Sequence, residues 1–139
     1  MDDLTKEFSN IILSNDITKI NNFKEKIIAE AYKFHTSGNL IAAAKSYRFI
    51  IDNQFANADI YNNLGIILKQ SGRIEDAINV FKKSISLFPD SQFSYINLSN
   101  IFRDLKDLNE AEKYIKLAIN VAPTNVDAFI NHAYILLDG

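Results

Sequence analysis

Apolar and small residues recur along this chain with a period of 34 positions. The glycines Gly38 and Gly72 are one period apart, and so are the prolines Pro89 and Pro123. Alanines recur at the same interval at positions 43, 77 and 111. Because self-similarity at a period of roughly 20–50 residues is the signature of repeat proteins, the pattern predicts a stack of equivalent units.

Each unit shows helical periodicity twice. In the first half, large, small and large residues follow one another at helical spacing, as at Tyr61, Gly65 and Leu68. The second half repeats such a pattern on one face, from Ile74 to Ile85. This spacing predicts two amphipathic helices of about 14 residues in each unit. The corresponding stripes of the other first helices are Ile27, Ala31 and Phe34; Tyr95, Ser99 and Phe102; and Phe129, Ala133 and Leu136.

Short turns are expected between the two helices of a unit. The turns at residues 37–39 and 71–73 carry a glycine, which readily adopts the left-handed conformation after a helix. The third turn, residues 105–107, lacks the glycine. Inside the helix, Gly65 costs about 1 kcal/mol of helix propensity, so we expect it to permit a close approach of neighbouring helices.

The period divides the chain into five segments. Residues 1–23 are predicted to form an N-terminal amphipathic helix and a leader, which either cover the apolar edge of the first repeat or bind a partner. Repeats follow at residues 24–57, 58–91 and 92–125, of which the first is the most degenerate. Residues 126–139 are predicted to be the first helix of an incomplete fourth repeat or a capping helix.

The helix predicted at residues 126–139 has no second helix of its own to cover it. Its apolar face therefore suggests a final capping helix, the cut edge of a longer protein, or a contact in a homodimer. The residues expected in a homodimer contact are Phe129, Tyr134, Leu136 and Leu137.

Composition and charge argue against several partners and compartments. The net charge is −2, from 15 basic and 17 acidic residues, so the chain lacks the positive field expected of a nucleic-acid-binding protein. No apolar run approaches the roughly 20 residues that a membrane-spanning helix needs. The chain has no cysteine and begins with acidic and polar residues, which predicts a cytoplasmic location.

Signals of catalysis are nearly absent from the sequence. It contains no glycine-rich phosphate loop, HExxH motif or serine nucleophile elbow, so we expect no enzyme activity, no cofactor and no metal site. Of the two histidines, His35 is expected to be exposed to solvent and His132 to be partly packed.

The second repeat, residues 58–91, resembles the tetratricopeptide repeat. That family has aromatic, leucine, glycine, alanine and proline residues at set positions of a 34-residue unit, and this resemblance extends over residues 24–139. It implies an all-α, right-handed superhelical solenoid of helix-turn-helix repeats that acts as a non-catalytic protein-interaction module. The residues that carry the resemblance are Tyr61, Leu64, Gly65, Leu68, Gly72, Ala77, Phe81 and Pro89.

In tetratricopeptide arrays the first helices of successive units line a concave groove. One groove position of this chain holds Asn63, Asn97 and Asn131, which is similar to the asparagine ladder of O-linked N-acetylglucosamine transferases. An amide offers both a donor and an acceptor, so it can bind the main chain of an extended peptide. The alternative is chance, because the chain contains 16 asparagines. Further groove residues expected to bind the peptide are Tyr32, Asn62, Phe93, Asn100 and Arg103.

A second family binding mode, the carboxylate clamp for acidic chaperone tails, is not expected. Its cation positions lack lysine and arginine here, and of the residues at the clamp positions only Asn63 fits: Ile28, Tyr32, Asn63, Phe93 and Asn97. The sequence thus predicts a module that binds an extended peptide or protein segment. Two alternatives stay open, namely the substrate-selecting N-terminal part of a larger enzyme such as a glycosyltransferase, and a self-associating scaffold.

Overall fold

The computed structural model describes residues 2–139, which form eight α-helices and no β-strand. The prediction of an all-α fold is therefore confirmed. The chain divides into two units, with the boundary between Ala56 and Asn57. The first unit contains α1 (Asp3–Leu13), α2 (Ile17–Thr36) and α3 (Leu40–Asp52). The second contains α4 (Ala58–Gln70), α5 (Ile74–Leu87), α6 (Gln92–Asp104), α7 (Leu108–Val121) and α8 (Val126–Asp138).

Most of the helices begin at a polar side chain that accepts a hydrogen bond from a backbone N–H of the first turn. Asn57 accepts from the Ile60 N–H at 3.0 Å, and Asp107 accepts from the Glu110 N–H at 3.2 Å. Such a cap satisfies one of the donors that the first turn leaves without an intrahelical partner. Local capping residues thus define where these helices begin.

Aromatic side chains form the core of the first unit. Phe8 of α1 stacks on Phe23 of α2, with ring centroids 5.1 Å apart, and also contacts Phe49 and Phe55. Phe8 is almost fully buried, so α1 covers the apolar end of the α2–α3 pair. Helix α2 begins at Ile17, which means that residues 17–23, predicted as a leader, are the first turns of this 20-residue helix.

In the second unit, helices pack in sequential antiparallel pairs. Helix α4 packs against α5, and α6 packs against α7, while α6 also contacts α4 and α8. The first helices α4, α6 and α8 therefore lie side by side, as the tetratricopeptide resemblance implies. Fully buried side chains fill the space between them and their partners, among them Ile60, Leu64, Phe81, Leu98, Ile101 and Ile115.

The third turn reproduces the glycine turns without a glycine. Lys106 has φ 65°, close to the values of 82° for Gly38 and 78° for Gly72. An L-residue pays a steric cost in this left-handed region, whereas glycine does not. The backbone geometry of the repeat is therefore kept at residue 106 at the expense of local strain.

Candidate functional site

The neighbouring helices α4, α6 and α8 enclose an open cavity of about 420 Å³ on their shared face. We call this cavity the groove. Its lining combines apolar side chains with amides and one carboxylate. The lining residues are Asn62, Ile66, Phe93, Ile96, Asn97, Asn125, Asp127, Ile130 and Asn131.

The apolar part of the groove lies open to solvent. Phe93 is 48% exposed and Ile130 is 45% exposed, although both are large apolar residues. Ile66 and Ile96 line the groove as half-buried side chains. Together they give an apolar surface that a ligand side chain could cover, which is the usual composition of a binding site.

Two of the groove asparagines are joined to each other. The Asn97 amide nitrogen donates to Oδ1 of Asn62 at 2.7 Å and to the Phe93 carbonyl oxygen at 3.0 Å. Both amide hydrogens of Asn97 are thereby engaged. The pair leaves the side-chain oxygen of Asn97 as an acceptor and the amide nitrogen of Asn62 as a donor. The donor and acceptor that were predicted to come from a single asparagine thus come from two residues.

The predicted ladder residues are distributed unevenly over the groove. Asn97 and Asn131 both line it, and the structure gives the half-buried Asn131 amide no hydrogen-bond partner among residues 2–139. From α4 the lining asparagine is Asn62, one position before the half-buried Asn63. The arrangement thus brings together Asn62, Asn97 and Asn131.

Asn125, directly before α8, is also one of the residues that line the groove. The Asn125 amide nitrogen donates to Oε1 of Gln92 at 2.6 Å, and its Oδ1 accepts from the backbone N–H of Asp127 at 2.9 Å. Asn125 therefore fixes the start of α8 against the start of α6. Asn125 was not among the predicted site residues, because it precedes the helix and lies outside the predicted groove positions.

Arg103 lies at a second, smaller cavity on the α6–α8 side. This cavity of about 280 Å³ is lined by Arg103, Asp104, Lys106, Tyr134 and Asp138. The Arg103 guanidinium is 3.9 Å from the Asp138 carboxylate and lies over the Tyr134 ring, 5.6 Å from its centroid. Its charge is therefore already compensated within the fold.

The two remaining predicted site residues do not line the groove. Asn100 is a half-buried residue of α6. Tyr32 belongs to α2 in the first unit, where its ring packs edge-on against Tyr47 with centroids 6.2 Å apart. Their proposed contacts with a peptide stay predictions.

The histidines occupy structural positions. His35, expected to be exposed, is instead half-buried, with Nδ1 3.0 Å from the Tyr47 hydroxyl, because α3 brings that tyrosine against the end of α2. Nε2 of His132 lies 3.6 Å from the Glu112 carboxylate. A hydrogen bond from Lys116 and its charge, with a smaller contribution from His132, hold the pKa of Glu112 below its usual range. Among residues 2–139, no group of three His, Asp or Glu side chains could hold a metal ion.

Family models identify two repeats in the second unit. Residues 58–91 and 94–125 each match a model of the tetratricopeptide repeat. Over 89 residues, the chain is 33% identical to the uncharacterized protein ycf37 of Pyropia yezoensis, covering 60% of this chain and 50% of that protein. It is 29% identical over 94 residues to the protein O-mannosyl-transferase Tmtc3 of Drosophila melanogaster, covering 58% of this chain and 10% of the relative. The chain thus spans half or less of these curated relatives.

Solved structures share the fold at low sequence identity. The second TPR domain of human RPAP3, in complex with the HSP70 peptide SGPTIEEVD, superposes with a TM-score of 0.71 at 20% identity, covering 79% of this chain and 92% of that domain. The Yersinia enterocolitica type III secretion chaperone SycD, in complex with a peptide of the translocator YopD, gives 0.74 at 16% identity, covering 81% and 92%. These likenesses confirm the helix-turn-helix repeat fold. None of the helices in residues 2–139 has the length and apolar character needed to cross a membrane.

Proposed function

Because this chain belongs to the tetratricopeptide repeat family, we propose that it is a non-catalytic interaction module that binds an extended peptide or protein segment in the groove. One observation carries the proposal, namely that exposed apolar side chains and asparagine amides line the same cavity between α4, α6 and α8. Apolar surface supplies affinity, and paired amides bind a peptide backbone regardless of its side chains.

Two solved structures with this fold support the proposal because each contains a bound peptide. RPAP3 and SycD were each solved with a peptide bound, and both share the repeat fold of this chain. A peptide in the groove would cover Phe93 and Ile130, whose exposure is costly in water. It would also meet the donor and acceptor of the Asn62–Asn97 pair.

A selection from a random peptide library against the full chain tests the proposal. Selected peptides should lose about tenfold in affinity, or about 1.4 kcal/mol, when the substitution Phe93→Ala removes the exposed ring from the groove. The matched control is Leu87→Ala, since Leu87 is 47% exposed and lies on α5, outside the groove. Peptides that bind the Phe93→Ala variant and the unaltered chain equally would disprove binding in the groove.

A second candidate function is self-association through α8. Six large apolar residues of α8 are exposed, from 45% for Ile130 to 79% for Leu137. A second copy of the chain could cover them, and the expected contact residues are Phe129, Tyr134, Leu136 and Leu137. Sedimentation equilibrium of the chain decides this candidate, because a monomer at all concentrations would exclude it and Leu137→Lys should dissociate a dimer.

A third candidate is that the chain selects substrates for a catalytic domain of a larger enzyme. The similarity to an O-mannosyl-transferase, of which the matched part is 10%, favours this candidate. Sequencing the source gene beyond both ends of this segment tests it directly. An open reading frame that continues into a catalytic domain would support the candidate, whereas flanking stop codons would remove it.

A further inference from the structure

The charged side chains near the groove differ in whether they already form an ion pair within the fold. Lys69 and Arg103 lie on the first helices α4 and α6, at the same position of their repeats. The Lys69 ammonium is 3.6 Å from the Asp104 carboxylate, and the Arg103 guanidinium is 3.9 Å from that of Asp138. Both cations therefore already have carboxylate partners within the fold.

Asp127, in contrast, is a groove carboxylate without a cationic partner in the part of the chain that the structure describes. Among the described residues that line the groove, it alone carries a charge, and its side chain is exposed. Its carboxylate forms no ion pair with any cation of residues 2–139. Asp59, at the equivalent position of the second repeat, is likewise an exposed carboxylate without an ion pair in that part of the chain.

This imbalance determines which ligand charge the groove can accept. A carboxylate on a bound peptide would lose hydration and find Asp127 instead of a cation, which is unfavourable. A lysine or arginine would gain a charged partner that the fold does not already use. The exposed Phe93 and Ile130 beside it require, in addition, a large apolar side chain.

Resting on the proposed function, we infer that the groove binds peptides in which a large apolar residue is flanked by lysine or arginine. Its charge preference is then opposite to that suited to the acidic end of the peptide SGPTIEEVD bound by the RPAP3 domain. Phe93, Ile96 and Ile130 hold the apolar side chain, and Asp127 pairs with the flanking cation.

Four pooled synthetic peptide libraries of equal length test this inference with the full chain. Three pools carry a fixed central phenylalanine flanked by lysine, glutamate or glutamine, and the fourth carries lysine around a central glycine. Binding is measured by fluorescence anisotropy at low salt, where exposed charge pairs contribute most. We expect the lysine–phenylalanine pool to bind most tightly and the glutamate–phenylalanine pool most weakly.

Variants then connect the preference to one residue. Asp127→Asn should weaken binding of the lysine–phenylalanine pool about threefold to fivefold, as expected at the upper end for a solvent-exposed ion pair. Asp127→Lys should reverse the order of the lysine and glutamate pools. Asp90→Asn, which removes an exposed carboxylate between α5 and α6, is the matched control and should change neither.

The outcomes separate the two proposals. If pools with phenylalanine bind but lysine and glutamate are equivalent, or if Asp127→Lys leaves their order unchanged, the charge preference is wrong and peptide binding stands. Equal binding of the phenylalanine and glycine pools would overturn the apolar part of the inference. If no pool binds, the proposed function fails together with the inference that rests on it.

Discussion

Gly65 of α4 lies directly beneath the ring of Phe81 of α5. A Cβ atom at residue 65 would come within 2.5 Å of two ring carbons, closer than atoms in contact can approach. Phe81 is fully buried, so its ring has little room to move away. The small residue is therefore a requirement of the α4–α5 pair, as the sequence period predicts.

The first prediction follows from this contact. Gly65→Ala should lower the free energy of unfolding by about 1–2 kcal/mol, since overpacking of a fixed core outweighs the roughly 1 kcal/mol that alanine gains in helix propensity. Urea denaturation measures the change. Adding Phe81→Leu should recover part of the loss, and a Gly65→Ala variant that is more stable than the unaltered chain would contradict this account.

A second prediction concerns the strained turn at Lys106. Lys106→Gly should stabilise the protein by about 0.5–1 kcal/mol, because glycine adopts a φ of 65° without the steric cost that an L-residue pays. Lys106→Ala keeps the Cβ and should give no gain. Thermal unfolding of both variants checks the prediction, and equal melting temperatures would show that the turn is not strained.

The sequence could predict the fold further than it could predict the site. Repetition made the helix pairs and the role of Gly65 predictable, because each depends on spacing within one repeat. The Asn62–Asn97 hydrogen bond joins adjacent repeats, and its formation depends on side-chain orientations that spacing does not define. The same holds for Asn125, whose contact with Gln92 relates a loop to a distant helix start.

Two buried serines provide a third prediction. Ser84 of α5 and Ser94 of α6 are buried, and neither hydroxyl has a hydrogen-bond partner among residues 2–139. One period later, the equivalent residues are the fully buried Ala118 and Ala128. An unpaired buried hydroxyl costs about 1–3 kcal/mol, so the combined change Ser84→Ala and Ser94→Ala should raise the free energy of unfolding. Calorimetry decides this, and a lower melting temperature would indicate that the hydroxyls are satisfied in solution.

The interaction of Glu112 with Lys116 and His132 predicts a pH dependence of stability. The pKa of Glu112 is lowered in the folded chain, first by the hydrogen bond from Lys116 and then by its charge. A lowered pKa means that the folded state favours the carboxylate, so the contribution is present above the usual carboxyl pKa and is lost as pH falls through the folded value.

Glu112→Gln tests this dependence. The variant should be less stable than the unaltered chain at pH 7, and the difference should shrink between pH 7 and about pH 3 as the carboxylate of Glu112 becomes protonated. Urea denaturation at the two pH values measures it. The control is Glu75→Gln, because Glu75 is an exposed carboxylate of α5 that forms no ion pair within residues 2–139. A difference that persists unchanged at pH 3 would assign the effect to packing.

The last prediction concerns hydrogen bonds between the groove amides and the main chain of a bound peptide. The double change Asn97→Ala and Asn131→Ala removes the acceptor of the Asn62–Asn97 pair and the unpartnered Asn131 amide. Peptides selected on the unaltered chain should then lose about tenfold in affinity, from two hydrogen bonds of roughly 0.5–1.5 kcal/mol each. Because the contacts are to the main chain, the loss should be similar for peptides of different sequence. The control is Asn79→Ala with Asn120→Ala, two exposed asparagines on α5 and α7. If isothermal titration calorimetry gives the same affinities for the groove variant as for this control, the recurring asparagines reflect composition and the peptide is held by Phe93 and Ile130.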